Sequence, residues 1–154
     1  MIAPTVGWLA PLLPLALAPN TPTSTETGEP VTLNGRVVEL TAAPRSSGLG
    51  VDEGPIAKQV VLQGRDGTLT PLLSDDASRA LFLDERLRDR PAEIKARRHP
   101  SSPYVQVVTF RIEEDGRLRT PEYISEVCTI SVRYPQICPC CQGPMEPRMR
   151  PDAR

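Results

Sequence analysis

All four cysteines of the chain lie in one stretch, CTISVRYPQICPCCQGPM, at Cys128, Cys138, Cys140 and Cys141. Cys138 and Cys141 form a C-x-x-C pair, a spacing at which two thiolates can turn toward one metal ion or close one disulfide. Read backward from Cys128, the matching first pair is Ser125-x-x-Cys128. The types and spacing of these residues therefore predict a sulfur-rich site in the C-terminal part of the chain.

The first interpretation of the cluster is a structural zinc site. Cys128, Cys138 and Cys141 supply three ligands, and Cys140, Ser125 or water supplies the fourth. With serine in place of one cysteine, the stretch resembles a degenerate zinc ribbon or knuckle. The resemblance implies zinc as a structural cofactor of reduced affinity, because structural zinc prefers four nitrogen or sulfur ligands.

Two other interpretations use the same thiols. Four cysteines of an exported protein can form disulfides, and Cys128 bridged to one of the other three is favoured because an adjacent Cys140–Cys141 bridge is strained. Alternatively, thiolate and thioether ligands select Cu(I), and this soft-metal set comprises Cys138, Cys140, Cys141, Met145 and Met149. A thioredoxin-like redox role is disfavoured, because no βαβ unit precedes the C-x-x-C pair.

No arrangement typical of catalysis accompanies the cysteines. His99 is the only histidine, and it stands before Pro100 in a predicted turn. No spacing brings it to a thiol, as Cys-His catalysis requires. The sequence contains no glycine-rich phosphate loop, paired-carboxylate site or cofactor fingerprint. We therefore expect a protein that is not an enzyme.

Residues 1–18 carry no charge and are mostly apolar. Ala16, Leu17 and Ala18 form the small-x-small pattern that precedes signal-peptidase cleavage, so 1–18 is predicted to be a signal peptide and 19–30 a flexible polar leader. The absence of Lys or Arg before the apolar run is atypical. A membrane anchor is the rival, but the run is short and interrupted by proline. We expect an exported protein of the periplasm or cell envelope, with no membrane span after processing.

The region from Val31 onward carries the patterns of a folded domain. Apolar residues alternate in VTLNGRVVEL at Val31, Leu33 and Val37, which predicts a strand with a bend or bulge at Gly35. The run KQVVLQGRDGTLTPLL predicts a hairpin that turns at its Asp-Gly pair. The next segments predict one helix over 74–89 and two strands, over 92–99 and 104–112.

This order of strand, long loop, hairpin, helix, strand and strand resembles the OB-fold family, a five-stranded barrel with a helix between its third and fourth strands. The resemblance covers roughly residues 31–112 and rests on the element order, the mid-strand glycine and the helix position. It implies a mainly β fold, with an OB-like barrel over 31–121, a cysteine-rich ribbon or knuckle over 122–145 and a disordered tail over 146–154. Related small OB-like domains occur in bacterial envelope proteins, in agreement with export. A barrel of another topology is the alternative.

OB folds often bind single-stranded nucleic acid through exposed aromatic residues beside a basic groove. Here the alternation places Tyr104, Val108, Phe110 and Ile112 on one face of the strongest strand, which we expect to be the core face. The basic residues of 86–98 are interleaved with acidic ones, and the formal net charge is −1. Nucleic acid is therefore not expected as a partner.

These patterns predict an exported, non-enzymatic binding or assembly module whose tail is stapled by the cysteines or by a metal ion, with zinc as the expected metal. Its partner would be a protein or a small ligand. The alternative is a periplasmic protein that handles a soft metal, copper or zinc, or works through its thiols. In that case the working groups are Cys138, Cys140 and Cys141.

Overall fold

The computed structural model describes residues 28–46, 48, 50 and 52–150. The predicted signal peptide over 1–18, and the leader over 19–30 except its last residues, lie outside the described residues. The strands are β1 (Glu29–Glu39), β2 (Val60–Gln63), β3 (Leu69–Pro71), β4 (Pro91–Arg98), β5 (Val105–Glu114), β6 (Arg117–Ser125), β7 (Ile130–Val132) and β8 (Glu146–Arg150). The helical segments are α1 (Ala42–Ser46), α2 (Arg79–Leu83) and two 3₁₀ turns, Gly54–Ile56 and Glu85–Leu87. Within these described ranges, no helix has the length and apolar character needed to cross a membrane.

The eight strands form one antiparallel sheet in the order β3-β2-β1-β4-β5-β6-β7, with β8 paired to β6. The mainly β class is therefore confirmed. In the described part of the chain, the β3 end of the sheet meets β5 only at one isolated parallel bridge, between Val105 and Leu72, the residue after β3. Beside it, the Leu73 N–H donates to the Val105 carbonyl at 3.0 Å. The sheet is not closed by this single bridge, so the pairing does not show a barrel.

β1 changes neighbours along its length. Glu29–Arg36 pairs with β4, and Arg36–Glu39 pairs with β2. Gly35 lies next to this exchange, and a Cβ atom there would come within 2.4 Å of the Gln63 carbonyl oxygen. Only glycine allows the two backbones to approach so closely, which accounts for a glycine in the middle of a strand.

The predicted hairpin is confirmed as β2 and β3. The Asp66 carboxylate accepts hydrogen bonds from the Thr68 N–H at 3.0 Å and from the Thr68 hydroxyl at 2.7 Å. Gly67 takes the positive φ of 83° that the turn requires. The turn chemistry is local in sequence, so the hairpin could be predicted from it.

The helix predicted over 74–89 is shorter than expected, and only α2 and a following 3₁₀ turn are helical. The Asp75 carboxylate accepts from the Ser78 N–H at 3.1 Å and holds the segment before α2 as a turn. Asp84 is extended, with φ −112° and ψ 102°, and its side chain accepts from the Arg86 N–H at 3.1 Å. Short polar side chains here bind backbone groups that a longer helix would use, and this competition shortens the helix.

The face of β5 that enters the core changes at a β-bulge. Lys95 on β4 pairs with Thr109, but the next residue, Ala96, pairs with Val107, so Val108 is an extra residue. The β5 side chains that are buried are those of Val105, Val107, Phe110 and Ile112. The predicted core face is therefore confirmed after the bulge, where Phe110 and Ile112 are buried. It is wrong at Tyr104 and at the bulge residue Val108, which are both exposed.

One hydrophobic cluster spans the sheet and the cysteine region. Its fully buried members include Leu81 of α2, Ile94 of β4 and Ile112 of β5. Tyr123 and Cys138 belong to the same cluster and are equally buried. A single core therefore crosses the boundary that the sequence predicts between barrel and ribbon, at residues 121 and 122.

The prediction of a disordered tail over 146–154 is wrong for its first five residues, which form β8 and pair with β6. Proline and charge in this segment suggested disorder. The charges have a partner, however, because Arg148 and Arg150 donate to the buried Glu122 carboxylate at 2.8 and 2.7 Å. Residues 151–154 lie outside the described residues.

Candidate metal centre

Two turns of similar backbone shape carry the cysteines. The first runs from Ser125 to Cys128 between β6 and β7, and the second runs from Cys138 to Cys141 before β8. The residue after each turn has a positive φ, 54° at Thr129 and 57° at Gln142. A residue other than glycine adopts this left-handed conformation at a cost, so its occurrence at equivalent places is a feature that the two turns share.

Hydrogen bonds close each turn. In the second turn, the Gln142 N–H donates to the Cys138 carbonyl at 2.9 Å, and the Cys138 N–H donates to the Gly143 carbonyl at the same distance. In the first turn, the Cys128 N–H donates to the Ser125 hydroxyl at 3.4 Å. The Ser125 side chain is thereby directed inward, and only 3 % of the residue is exposed.

Three thiols converge where the turns meet. The sulfur atoms of Cys128, Cys138 and Cys141 all lie within 4.8 Å of one another. The Ser125 hydroxyl oxygen lies 3.6 Å from the Cys141 sulfur. In a tetrahedral site with Zn–S bonds of about 2.3 Å, ligand sulfurs lie about 3.8 Å apart. The three cysteines are therefore close enough to bind one metal ion.

Cys140 is not a member of this group of three, although the sequence predicts it as a fourth metal ligand. Its side chain is exposed, as is that of Cys141, whereas Cys138 is buried and Cys128 is half-buried. The four cysteines are free thiols in this structure, so none of the predicted disulfide pairings is formed. The site accordingly has one buried sulfur and an open side toward solvent.

The thiols differ in acidity. Hydrogen bonds from the backbone N–H groups of Cys141 and Cys140 lower the pKa of Cys138 to about 6. Hydrogen bonding with the Cys140 and Cys141 side chains raises the pKa of the Cys128 thiol to about 12. A thiolate is the form that binds metal, so Cys138 is more readily available to a metal ion than Cys128.

A buried network fixes β6, which carries Ser125, to the rest of the fold. The Tyr123 hydroxyl donates to the Asp84 carboxylate at 2.6 Å, and Arg86 donates to the same carboxylate at 2.8 Å. Burial, followed by the hydrogen bond to Asp84, raises the pKa of Tyr123 well above its usual range. Burial alone would raise the pKa of Asp84, but the hydrogen bonds from Arg86 and Tyr123 lower it. The pair is thus a neutral phenol that donates to a carboxylate.

A second buried carboxylate fixes β8. Glu122 is 4 % exposed and accepts hydrogen bonds from Arg148, Arg150 and Ser131. Burial alone would raise the pKa of Glu122, but these donors lower it to about 2. Glu122 therefore joins β6 to β7 through Ser131 and to β8 through the two arginines. The strands on both sides of the cysteine turns are held by one side chain.

His99 directly follows β4 and contacts the start of β1, where a Cβ atom on Gly28 would come within 2.9 Å of the imidazole. Its carbonyl accepts from the Ser102 N–H at 3.1 Å, as expected of the predicted turn. Among the described residues, no hydrogen bond joins its side chain to a cysteine. The structure therefore places His99 in strand and turn packing.

Asp84 and Glu122 are the residues that sequence reasoning missed. Asp84 precedes its tyrosine partner by 39 residues, and Glu122 precedes Arg148 by 26. No local pattern joins residues so far apart. The available signal was the spacing of Arg148 and Arg150, two residues apart, because a strand presents such residues on one face. This spacing could have indicated a strand that meets an acidic partner.

Comparison of the chain with protein-family models, with curated proteins and with solved structures finds no significant match.

Proposed function

We propose that the chain is an exported, non-enzymatic binding or assembly module whose C-terminal part is stapled by a structural zinc ion. The observation that carries the proposal is the convergence of three thiols, from Cys128, Cys138 and Cys141, within 4.8 Å beside the Ser125 hydroxyl. A set of three sulfurs and one oxygen suits the tetrahedral preference of zinc. Zinc bound there would join the turn after β6 to the turn before β8.

The two turns support a degenerate zinc ribbon. Each has two potential ligands separated by two residues, and each is followed by a left-handed residue. Ser125 occupies in the first turn the place that Cys138 occupies in the second. The fourth ligand is then the Ser125 hydroxyl, with exposed Cys140 or water as the alternatives. A neutral hydroxyl binds zinc less tightly than a thiolate, so this site holds zinc more weakly than a set of four cysteines.

The OB-like barrel is the fold that we propose for the region that presents the ligand. The order β3-β2-β1-β4-β5 and the position of α2 between β3 and β4 support it. The parallel bridge from Leu72 to Val105 supports it further, because closure of an OB barrel requires the third strand to meet the fifth. Export to the periplasm or cell envelope rests on the apolar residues 1–18 with their Ala16-Leu17-Ala18 site.

The exposure of Cys140 and Cys141 favours a second candidate, a periplasmic soft-metal (copper or zinc) handling or thiol protein. Solvent-accessible thiolates can pass a metal ion to a partner, and sulfur ligands select Cu(I). Met145 is 8 % exposed and packs in the hydrophobic cluster. Its thioether, which a copper site would use as a ligand, is therefore engaged in core packing. Structural zinc is therefore the better supported of the two.

Metal analysis of the reduced full chain tests the proposal. We expect one tightly held zinc ion per chain, abolished by Cys138→Ser and retained by the matched control Cys140→Ser, because of these two residues only Cys138 belongs to the converging group. Equal loss in both variants, or absence of tight zinc in the reduced protein, would contradict the staple. Binding of Cu(I) in preference to zinc, with the copper readily removed by a chelator, would establish the soft-metal alternative.

A further inference from the structure

A groove of about 540 Å³ opens between β5 and the last three strands. Its walls are Val108–Arg111 of β5 on one side and Thr120–Glu122 of β6 on the other, with Ser131, Val132, Arg133 and Arg150 beside them. The groove exists because β5 and β6 separate after a short ladder. They pair at three positions only: Ile112 with Arg119, Glu113 with Leu118, and Glu114 with Arg117. The metal centre uses none of these residues.

The groove borders a free strand edge. β5 pairs with β4 along Val105–Ile112, but on its other side the described residues provide only the bridge at Val105 and the ladder with β6. Residues 106–111 consequently have a strand partner on one side alone. A strand edge of this kind can accept an added strand, and at about 3.3 Å per residue it would pair with five or six residues of an extended peptide.

The charge around the groove is positive. Two of its cations are paired within the groove: Arg111 lies 2.8 Å from the Glu93 carboxylate, and Arg150 lies 2.7 Å from that of Glu122. The other two, Lys95 and Arg133, are exposed and form no ion pair with any described residue. Both acidic groups of the lining are therefore neutralised, and two positive charges are left for a ligand.

The lining favours a peptide over a nucleic acid. Val108, which the bulge turns outward, is 42 % exposed and offers an apolar contact at the groove wall. Base stacking requires an exposed aromatic ring, and the one aromatic residue of the lining, Phe110, is only 7 % exposed. An open backbone edge, an apolar contact and two unpaired cations instead match an extended chain with acidic side chains.

We propose that the groove binds an extended acidic peptide segment of a partner protein, which adds as a strand to the free edge of β5. Backbone hydrogen bonds to residues 106–111 provide affinity, and Lys95 and Arg133 select carboxylate side chains. The inference names the partner class of the binding module proposed above, and it rests on that part of the proposed function. It does not depend on which metal the cysteines hold.

Fluorescence anisotropy with labelled hexapeptides tests the inference on the full chain. The probe is Thr-Glu-Val-Glu-Val-Glu, and the control probe is Thr-Lys-Val-Lys-Val-Lys. We expect the acidic peptide to bind and the basic one not to bind. Lys95→Glu and Arg133→Glu should each weaken binding about tenfold or more, since a loss of about 1.4 kcal/mol is tenfold in Kd. Lys58→Glu, a charge reversal at an exposed residue outside the groove, should have no effect.

A peptide with N-methylated backbone amides separates strand addition from simple charge attraction. We expect it to bind much more weakly, because it cannot donate to the edge of β5. Equal binding of both backbones, or of acidic and basic peptides, would overturn the proposal. So would binding of a thymidine oligonucleotide in place of the peptide, or a dimer of this chain that Lys95→Glu dissociates. Zinc content measured on the same samples reports the metal centre separately, so failure of the groove leaves the staple standing.

Discussion

At position 125 a serine supplies a hydroxyl at the place where the second turn supplies the Cys138 thiol. The hydroxyl is buried, lies 3.6 Å from the Cys141 sulfur and accepts from the Cys128 N–H. A neutral oxygen at this place satisfies the turn but donates little charge to a cation. Under the zinc proposal, the affinity of the site therefore depends on which atom position 125 supplies.

We predict that Ser125→Cys raises zinc affinity at least about tenfold, because a fourth thiolate completes the sulfur set that structural zinc prefers. A competitive titration of the reduced proteins against a chromogenic chelator measures the change. Ser101→Cys adds a thiol at an exposed residue of the turn after β4 and serves as the matched control. Unchanged affinity in Ser125→Cys would show that position 125 does not contact the metal.

The spacing was sufficient to predict that Cys128, Cys138 and Cys141 come together beside Ser125, because a C-x-x-C turn is a local motif. It could not separate Cys140 from the others, since Cys140 and Cys141 are adjacent and both exposed. The Cys141 sulfur belongs to the group of three within 4.8 Å and the Cys140 sulfur does not. This difference exists only in three dimensions, and no spacing shows it.

At the scale of the elements, β6 is the strand that organises the site, since it pairs with β5, β7 and β8 in turn. Glu122 of β6 binds two arginines of β8 whose side chains are more than half exposed. The carboxylate is buried and the donors are not. The ion pairs are therefore partly screened by solvent, and they stabilise less than their short distances suggest.

We predict that Glu122→Gln destabilises the fold by about 1–3 kcal/mol at neutral pH, measured by urea unfolding in the presence of a chelator. Because the folded pKa of Glu122 is lowered from 4.5 to about 2, the stabilisation is complete above the ordinary pKa and is lost as the pH falls toward 2. The difference between the proteins should therefore be constant above about pH 5.5 and vanish near pH 2.

Glu85→Gln, at an exposed residue of the 3₁₀ turn, is the control for loss of a charge. It should leave the unfolding midpoint nearly unchanged. A Glu122→Gln effect that is independent of pH would mean that packing, and not the ionised carboxylate, holds β8 in place.

Elements with a regular pattern could be predicted, and elements decided by distant partners could not. The alternation in β1 and the Asp66-Gly67 turn are local, and both were placed correctly. The bulge at Val108 was not foreseen, because an extra residue leaves no mark in a strand that contains three valines. β8 was missed because its arginines read as solvated charges until Glu122 is placed opposite them.

At the scale of the whole molecule, the cysteine region is continuous with the main core. Cys138 and Tyr123 are fully buried in the cluster that contains Ile94 and Leu81. A ribbon appended by a linker would have its own small core and would open by itself. Cys138, which we propose as a metal ligand, also packs against the sheet. Under that proposal, the energy of metal binding is available to the entire fold, including the edge of β5 that borders the groove.

We predict that removal of zinc weakens the molecule as one unit. At free zinc about 100-fold above Kd, binding stabilises the folded state by about 2.7 kcal/mol, and a chelator should lower the midpoint of a single unfolding transition accordingly. Hydrogen exchange locates the effect: amides of β4 and β6 should lose protection together with those of β7 and β8, because Ile94, Tyr123 and Cys138 share one cluster.

Cys138→Ser, which removes the proposed ligand and keeps a small side chain, should reproduce the chelator effect with zinc present. Rapid exchange confined to β7 and β8, with β1–β5 unchanged, would instead identify the tail as an independent unit, and the shared core would then contribute little to its stability.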